Sequence, residues 1–232
     1  GDGEPVTMTC TILRLEPPVL FEHTHPAPGS RMRWELEAAD TGCILRLSHV
    51  VPDVQEAIDM SLYMAGEGRR LFGQTTPSEL RDKFNMSVRM PIGVIGVITP
   101  WNFPIAIPSW KITPALVAGN TIVFKPATDT PLLGERFVQL LDEAGLPKGV
   151  VNIVHGGGGA VGDRLVRHPD VPVITLTGSR ETGVEVMRNA AENLKHVHLE
   201  LGGKNAIIVL DDADLDAAVH GAIRGCFASA GQ

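Results

Sequence analysis

The sequence is poor in cysteine, in basic residues and in long apolar runs. Three cysteines in 232 residues form no Cys-x-x-Cys pair, so neither a disulfide framework nor a zinc ribbon is indicated, and a reducing cytoplasm is the expected location. Lysine and arginine number 20 against 27 acidic residues, which leaves no source for the phosphate attraction behind nucleic-acid binding. No apolar run approaches the roughly 18 to 20 residues that span a bilayer. We therefore expect neither a nucleic-acid partner nor a membrane partner.

What the chain does contain is the composition of a globular protein, with 44% hydrophobic and 20% charged residues. Residues 1–51 carry the pattern of antiparallel sheet. Strands are predicted at residues 7–15, 19–25, 31–37 and 43–50, with a hairpin turn at Asp40-Thr41-Gly42. So short a segment buries too little surface to be stable alone. It forms the first predicted domain.

Residues 52–232 form the second predicted domain, in which strands and helices alternate after a helix that starts at Pro52-Asp53. Strands are predicted at residues 92–99, 121–124, 150–154, 173–176, 197–201 and 206–210. Helices are predicted at residues 110–117, 132–144, 161–167, 181–192 and from Leu215. This alternation predicts an α/β fold whose Rossmann-like parallel sheet is covered on both faces. Such sheets bind ligands at the carboxyl ends of their strands.

Three predicted strand ends carry groups suited to a nucleotide. Lys125 ends one strand, where an ammonium reaches ribose or phosphate, although a solvated lysine is the plainer interpretation. Residues 156–162 contain a GxGxxG pattern, whose specificity is low because four adjacent glycines match it by chance. The turn TGSRETG at residues 177–183 precedes a helix, whose free backbone N–H groups can bind an anion.

Two further segments carry groups suited to catalysis. Glu200 ends a strand and could act as a general base, although most such glutamates are simply solvated. The turn PWNFP at residues 100–104 is stiffened by its prolines, so the Asn102 amide is a candidate oxyanion donor. His196, His198 and Glu200 share one strand face, and His23 and His25 repeat the spacing. We predict no metal site there, because a covered central strand leaves no open face for three ligands.

Taken together, these segments resemble the aldehyde dehydrogenase superfamily over residues 53–232. The resemblance rests on motifs in the family's order and spacing: PWNFP at 100–104, GNT at 119–121 leading to Lys125-Pro126, AGLP at 144–147 with GVVN at 149–152, TGS at 177–179 and ELGGK at 200–204. The family oxidises aldehydes to carboxylates with NAD or NADP. A cysteine thiolate attacks the aldehyde, hydride passes to the nicotinamide, and water releases the acid.

The resemblance implies roles for particular residues. Asn102 would be the oxyanion donor, and Glu200 the general base for thiol or water. Lys125 would hold the adenosine ribose, and Ser179 with the helix start after it would meet the pyrophosphate. The remaining implied cofactor contacts are Gly158 and Gly162 on the adenine side, Ile98, Thr99, Pro100 and Trp101 beside the cofactor, and Leu201 and Gly202 near the nicotinamide.

The sequence departs from the family pattern at several positions. Thr128 stands where many NAD-selective members have a glutamate, which leaves both NAD and NADP open as cofactor, and Leu176 replaces an aromatic residue before the Thr-Gly-Ser turn. The family's nucleophilic cysteine follows a tripeptide like Ala230-Gly231-Gln232, whereas Cys226 precedes it inside a predicted helix. We therefore interpret Cys226 as a packed thiol, expect the nucleophile to be missing from these 232 residues, and predict an inactive chain.

The first fifty residues resemble a different fold. Segments RWELE at residues 33–37 and LRLSH at residues 45–49 are similar to late strands of the helix-grip domain of activators of the Hsp90 ATPase. Half of one fold joined to half of another would arise from a gene fusion, a truncated gene or an assembly artefact.

Three functions therefore stay open: part of an aldehyde dehydrogenase, a nucleotide-binding module without turnover, or a ligand-binding or chaperone-associated protein. The expected partners are a small aldehyde and further copies of the chain in a homo-oligomer, since apolar surface would stay exposed.

Overall fold

The computed structural model describes the backbone of residues 7–12, 21–24, 31–39, 42–48 and 52–227, and side chains from Asp53 to Phe227. The chain divides into two compact units: Pro52–Gly202, and Gly1–Val51 together with Gly203–Gln232. The first break falls at the predicted domain boundary, and a second break after Gly202 divides residues that the sequence assigned to one domain. The predicted extent of the cofactor domain, residues 52–232, stays a prediction.

Four antiparallel strands form the sheet of the first segment, as predicted. They are β1 (Thr7–Ile12), β2 (Phe21–Thr24), β3 (Arg31–Ala39) and β4 (Gly42–Ser48), in the order β1-β4-β3-β2. β3 and β4 form a hairpin in which Ala39 lies opposite Gly42. Asp40 and Thr41 of the predicted turn lie outside the described residues, as do the predicted strand ends beyond these bounds.

Helix α1 (Pro52–Gly68) begins at the predicted start signal, and a short hairpin follows it. Strands β5 (Gln74–Thr76) and β6 (Asn85–Ser87) pair antiparallel and are exposed. This hairpin is not among the predicted elements, because its strands have only three residues each, too few for a period-two pattern to stand out. The hairpin borders a cavity of about 480 Å³ that contains none of the predicted site residues; it is lined by Arg70, Phe72, Gly73, Gln74, Ser87, Val88 and Arg89.

The predicted parallel sheet is confirmed, with five strands. They are β7 (Val94–Ile98), β8 (Thr121–Lys125), β9 (Val151–Ile153), β10 (Val173–Gly178) and β11 (His196–Leu201), in the order β11-β10-β7-β8-β9. All neighbouring pairs are parallel, so the five carboxyl ends lie along one edge. The chain proceeds outward from β7 to β9 and then returns to the other side of β7. The strand order therefore reverses between β7 and β10, where open α/β sheets bind ligands.

Helices cover both faces of this sheet. Helices α1, α2 (Ala106–Val117) and α3 (Pro131–Glu143) contribute to one apolar cluster, and α4 (Asp163–Arg167) and α5 (Arg180–Ala191) to the other. Alternation along β8 sends Ile122 and Phe124 into the first cluster, where both are 0% exposed. Burying a side chain such as Phe124 stabilises the fold by roughly 1.5 to 3 kcal/mol.

Gly96 in the central strand shows how closely the second cluster packs. A Cβ at this position would lie 2.8 Å from Cδ1 of Ile174 and 3.2 Å from side-chain atoms of Leu165 and Val171. The atom at 2.8 Å is the terminal methyl of a side chain, so a Cβ here would displace side chains and not backbone. The close approach of Ile174 and Leu165 to the backbone of β7 therefore favours glycine at this position.

Helix α2 begins at Ala106, four residues before the predicted start at Trp110. Pro108 lies in its first turn, where a missing N–H is harmless, and Pro114 lies inside the helix. The backbone N–H groups of Ile105 and Ala106 donate to the carboxylate of Asp53, at 3.2 and 2.7 Å. A residue more than fifty positions away thus caps the helix, and no local pattern could have predicted that start.

Two predictions near the end of the described chain were wrong. Residues 206–210 form no strand, and the apolar side chains from Ile207 to Leu210 are exposed. A strand needs a neighbour for its N–H and C=O groups, and none pairs with this segment among the described strands. Helix α6 (Leu215–Phe227) forms as predicted, but Cys226 on it is exposed rather than packed.

Candidate functional site at the carboxyl edge of the sheet

The parallel sheet brings the predicted strand-end segments to one edge. Residues 98–102 end and follow β7, residues 125–128 end and follow β8, and residues 178–179 lie at the end of β10. The N–H of Thr99 donates to the carbonyl oxygen of Lys125 at 3.3 Å, which extends the pairing of β7 and β8 past their ends. Thr99 is 4% exposed, so this junction is part of the core. The turns that follow β7 and β8 therefore start from a buried, hydrogen-bonded part of the sheet.

Lys125 is buried, which makes the interpretation as a solvated strand-end lysine wrong. Its side chain is 4% exposed, and its Nζ donates to the carbonyl oxygen of Pro126 at 2.8 Å. Burial lowers the pKa of Lys125 from its ordinary value. An ammonium with one backbone partner keeps two further N–H donors, so Lys125 can bind the hydroxyl or phosphate oxygens of a ligand.

The glycine turn after β9 approaches this lysine. A π-helical turn (Gly158–Gly162) leads into α4, and a Cβ at Gly162 would lie 3.7 Å from Cδ of Lys125. A Cβ at Gly157, Gly158 or Gly159 would meet nothing within 4 Å. The turn thus presents bare backbone to the surface, next to a buried cation.

Ser179 caps the helix that starts at the neighbouring strand end. Its Oγ accepts a hydrogen bond from the backbone N–H of Thr182 at 3.2 Å, the usual arrangement of an N-cap. Glu181 lies in the first turn, where its own backbone N–H and the Ser179 hydroxyl lower the pKa of its carboxyl group. Ser179 and Arg180 are exposed, so a ligand has access to the start of this helix, where the Glu181 carboxyl group contacts the N–H of its own residue.

The turn at residues 100–104 joins β7 to α2. Trp101 is 53% exposed and Asn102 is exposed, whereas the next aromatic residue, Phe103, contacts Trp110 with ring centroids 6.5 Å apart. Asp53 holds the end of the turn through its bonds to the first residues of α2. Burial raises the pKa of Asp53, and the two N–H donors oppose that shift. Asn102 is therefore an exposed residue in a turn that hydrogen bonds hold at both ends.

Glu200 lies on an edge strand of the described sheet. Its side chain is 64% exposed, and its Oε1 lies 3.7 Å from Nε2 of His198. The prediction that β11 is central and covered is wrong for the described sheet, because the strand order puts β11 at the edge, with His196, His198 and Glu200 exposed. Within the described residues, no group of three His, Cys, Asp or Glu side chains is arranged to hold a metal ion. The side chains of His23 and His25 lie outside those residues.

Lys111 is a buried charged residue near the site that is not among the predicted site residues. Its side chain is 7% exposed, and its Nζ donates to Oγ1 of Thr175 at 3.0 Å. Burial lowers the pKa of Lys111 to about 8, against a smaller opposing effect of the Glu200 carboxylate. The available signal was that Lys111 is the single charged residue of the otherwise apolar helix AIPSWKITPALV. A lone charge within an apolar stripe usually needs a buried partner.

The remaining predicted contacts differ in accessibility. Thr128 is exposed in the loop after Lys125, and Leu201 and Gly202 are exposed after Glu200. Ile98 and Pro100 are half-buried, and Leu176, which replaces the family's aromatic residue, is 2% exposed. The fold thus brings the predicted cofactor residues to one edge of the sheet, while their roles stay predictions. None of the helices that the structure describes is long and apolar enough to cross a membrane.

Comparison with known proteins identifies the family. The model of the aldehyde dehydrogenase family matches residues 33–232, so the match begins twenty residues before the segment that the motifs indicated. An α-ketoglutaric semialdehyde dehydrogenase of Bacillus subtilis is 49% identical over 73% of this chain and 35% of its own length. The NADP-dependent succinate-semialdehyde dehydrogenase of Escherichia coli is 44% identical over 80% of this chain and 39% of its own length. The resemblance of residues 1–50 to a helix-grip domain finds no support in these matches.

Solved structures agree with this assignment. An aldehyde dehydrogenase from Bacillus cereus in complex with NAD⁺ superposes with a TM-score of 0.73 at 44% identity, over 78% of this chain and 38% of that one. A 3,6-anhydro-L-galactose dehydrogenase in complex with NADP superposes with a TM-score of 0.73 at 41% identity. This chain spans less than half of the length of these relatives. The order of its motifs, its parallel sheet and these matches agree, and the chain belongs to the aldehyde dehydrogenase family.

Proposed function

We propose that this chain carries the NAD(P)-binding part of an enzyme that oxidises an aldehyde to a carboxylate. The observation that carries the proposal is the convergence at one sheet edge of a buried lysine, a bare glycine turn and a capped helix start. These three features fit a dinucleotide, because ribose hydroxyls need a donor and a pyrophosphate needs backbone N–H groups. Relatives whose structures contain NAD⁺ or NADP support both cofactors.

In this proposal one part of the sheet edge binds the cofactor, and another part carries the residues that act on the aldehyde. Lys125 binds the adenosine ribose, Gly158 and Gly162 border the adenine, and Ser179 with the start of α5 meets the pyrophosphate. The residues that border the rest of the cofactor are Ile98, Thr99, Pro100, Trp101, Leu201 and Gly202. When bound, the cofactor supplies a hydride acceptor.

The residues proposed to act on the aldehyde are Asn102 and Glu200. The Asn102 amide donates to the oxygen of the aldehyde as negative charge develops there, and its position on a fixed turn keeps that donor oriented. The Glu200 carboxylate accepts a proton from the attacking thiol or water. Exposure of Glu200 leaves room for such a reactant beside it. The substrate is an aldehyde, and the residues described here do not define its side chain.

Titration with NAD and with NADP tests the proposal. We expect saturable binding of at least one cofactor to the full 232-residue chain. Calorimetry or the fluorescence of the exposed Trp101 measures this binding. Trp101→Phe is the control that assigns the fluorescence signal. Absence of binding by calorimetry at millimolar cofactor would contradict the assignment of the edge as a cofactor site.

A second experiment separates an enzyme from a binding module without turnover. Cys226 lies on α6, four positions before the tripeptide that the family's nucleophile follows, and we propose that the chain tested as it stands does not oxidise aldehydes. Turnover of a simple aldehyde that disappears in Cys226→Ala would refute this proposal and identify Cys226 as a nucleophile. Cofactor binding without turnover is the expected result. The cytoplasmic location and a homo-oligomeric state stay predictions.

A further inference from the structure

A closed ring of side-chain hydrogen bonds joins α4 to α5 close to the glycine turn. Nε of Arg167 donates to both carboxylate oxygens of Asp163 at 3.0 Å, and its Nη2 donates to Oδ1 of Asn189 at 2.5 Å. Nδ2 of Asn189 completes the ring by donating to Oδ1 of Asp163 at 2.6 Å. Asp163 and Arg167 lie on α4 and Asn189 lies on α5, so the ring links the two helices directly.

Asp163 connects this ring to the glycine turn. It directly follows Gly162, and its backbone N–H donates to the carbonyl oxygen of Gly158, so its main chain is bonded to both ends of the turn. Gly162 lies against the side chain of Lys125. One residue therefore holds the glycine turn through its backbone and α5 through its carboxylate.

The apolar contacts between the two helices do not supply the same constraint. Leu165 and Val166 of α4 and Val186 and Ala190 of α5 belong to one buried cluster. Burial of apolar surface stabilises their association but is non-directional. Hydrogen bonds have a narrow range of distance and angle. The ring therefore defines how far α4 and α5 are displaced along each other.

The ring is part of a network and not an isolated ion pair. Nη1 of Arg167 donates to the carboxylate of Glu192 at 2.9 Å, so all three nitrogens of the guanidinium are hydrogen-bonded. A planar guanidinium bonded in this way has a fixed orientation. Arg167 is 42% exposed, and exposed ion pairs contribute little to the free energy of unfolding. We therefore expect the ring to affect the placement of the helices more than the stability of the fold.

We propose that Asp163, Arg167 and Asn189 are positioning residues that set the spacing between the glycine turn and the start of α5, so that one dinucleotide meets both. The inference rests on the proposed function, in which the glycine turn borders the adenine and the start of α5 meets the pyrophosphate. Because α5 is a continuous helix, a contact in its last turn also fixes the position of its start. A site whose parts are already in place binds its ligand more tightly, since less ordering is left to the binding step.

Isothermal titration of the full chain with NAD and with NADP tests this inference. Asn189→Asp removes the amide donor and places a second carboxylate beside Asp163, so the ring should open and the cofactor affinity should fall at least fivefold. Adding Asp163→Asn to this variant exchanges the amide and the carboxylate, and each of the three side-chain pairs again has a donor and an acceptor. The double variant should therefore bind the cofactor within twofold of the parent.

Two further variants separate the ring from charge and from folding. Asn193→Asp adds the same charge beyond the end of α5 and outside the ring, and should change the affinity less than twofold. Asn189→Leu opens the ring without a new charge and should also lose at least fivefold, which keeps the test valid where Asn189→Asp does not fold. Circular dichroism at the titration temperature shows which variants are folded.

Three results would overturn the inference and leave the proposed function intact. They are an unchanged affinity in the folded Asn189 variants, a double variant as weak as Asn189→Asp, and an equal loss in Asn193→Asp, which charge alone would explain. A parent chain that binds neither cofactor would contradict the proposed function and the inference that rests on it.

Discussion

Two strand ends of the same sheet carry a charged residue, and they differ in their surroundings. On the side proposed to bind the ribose, called the ribose side below, Lys125 at the end of β8 is 4% exposed and lies against Gly162. On the side of the proposed general base, called the base side below, Glu200 near the end of β11 is 64% exposed. In the sequence both are charged residues at or near the end of a predicted strand. The difference teaches that strand order, and not the local pattern, decides which of them is buried, because β8 lies inside the sheet and β11 at its edge.

Two charged residues on the base side also differ in burial, because Lys111 is buried whereas Glu200 is exposed. The largest expected effect therefore comes from Lys111→Met. The native state holds the lysine at a pKa of about 8, below the ordinary 10.5, so the unfolded chain binds this proton more tightly. The charged lysine thus costs stability below pH 8, and the free energy of unfolding of the parent rises between about pH 8 and 10.5. Lys111→Met should raise that free energy at pH 7 by up to about 3 kcal/mol.

Urea unfolding at pH 7 and pH 10 measures this effect, with the exposed Lys148→Met as the matched control. The gain from Lys111→Met should shrink toward zero at the higher pH, and the control should show no pH-dependent gain. A destabilised Lys111→Met at pH 7, or a gain independent of pH, would show that the ammonium is well compensated by Thr175 and Glu200.

The second prediction compares the two sides directly through cofactor affinity. Lys125→Met should weaken NAD or NADP binding by roughly 10- to 100-fold, since hydrogen bonds to a charged donor contribute about 1.5 to 3 kcal/mol. Glu200→Gln should change that affinity less than twofold, because a general base acts on the reactant and not on the ribose. Isothermal titration of both variants checks this, with Lys148→Met as control. Equal losses in both variants would remove the distinction between a ribose side and a base side.

The third prediction concerns the helix start between the two sides. Ser179→Ala removes the cap of α5 and should lower the free energy of unfolding by about 1 kcal/mol. Ser179→Asp keeps a capping oxygen and should retain stability, yet its charge should weaken pyrophosphate binding. Denaturation and titration of the two variants therefore separate capping from ligand contact. Loss of stability in both variants would mean that Ser179 is held by more than its cap.

The smallest expected effect concerns cofactor choice on the ribose side. Thr128→Glu places a carboxylate near the predicted 2'-phosphate position and should weaken NADP binding about five- to tenfold relative to NAD, since two charges 4 Å apart in water repel by about 1 kcal/mol. Thr128→Gln has the same size without the charge and should leave the ratio unchanged. An unaltered NADP to NAD ratio in Thr128→Glu would place the specificity position elsewhere.

Much of the parallel sheet could be predicted from local patterns. Apolar runs such as Val94–Ile98 and Val173–Gly178 form strands close to their predicted bounds, because their neighbours in the sheet are supplied by the same chain. Residues 206–210 have the same apolar character and form no strand. An apolar pattern indicates that a segment can form a β-strand, but a strand forms only where a neighbouring strand accepts and donates its backbone hydrogen bonds. Cys226 likewise lies on a correctly predicted helix and is exposed, because the local pattern does not show which element packs against that helix.

The candidate site divides in the same way. The strand-end positions of Lys125, Ser179 and Glu200 follow from motif order and alternation, since parallel strands bring their carboxyl ends to one edge. The cap that Asp53 provides and the contact of Lys111 with Thr175 join residues 53 and 64 positions apart. Such contacts have no period or spacing in the sequence, so only the packed helices reveal them.

The sequence by itself determined the alternation of strands and helices, the family and the strand-end residues that can meet a cofactor, because these depend on local propensity and on motifs at short spacing. The tertiary structure alone decided which charged groups are buried. Lys111 lies in the core beside Thr175, and Glu200 stays in solvent one strand further out. The physical reason is that the cost of burying a charge depends on which element lies next to it, and that neighbour is set by the strand order and by the packing of α2 on the sheet.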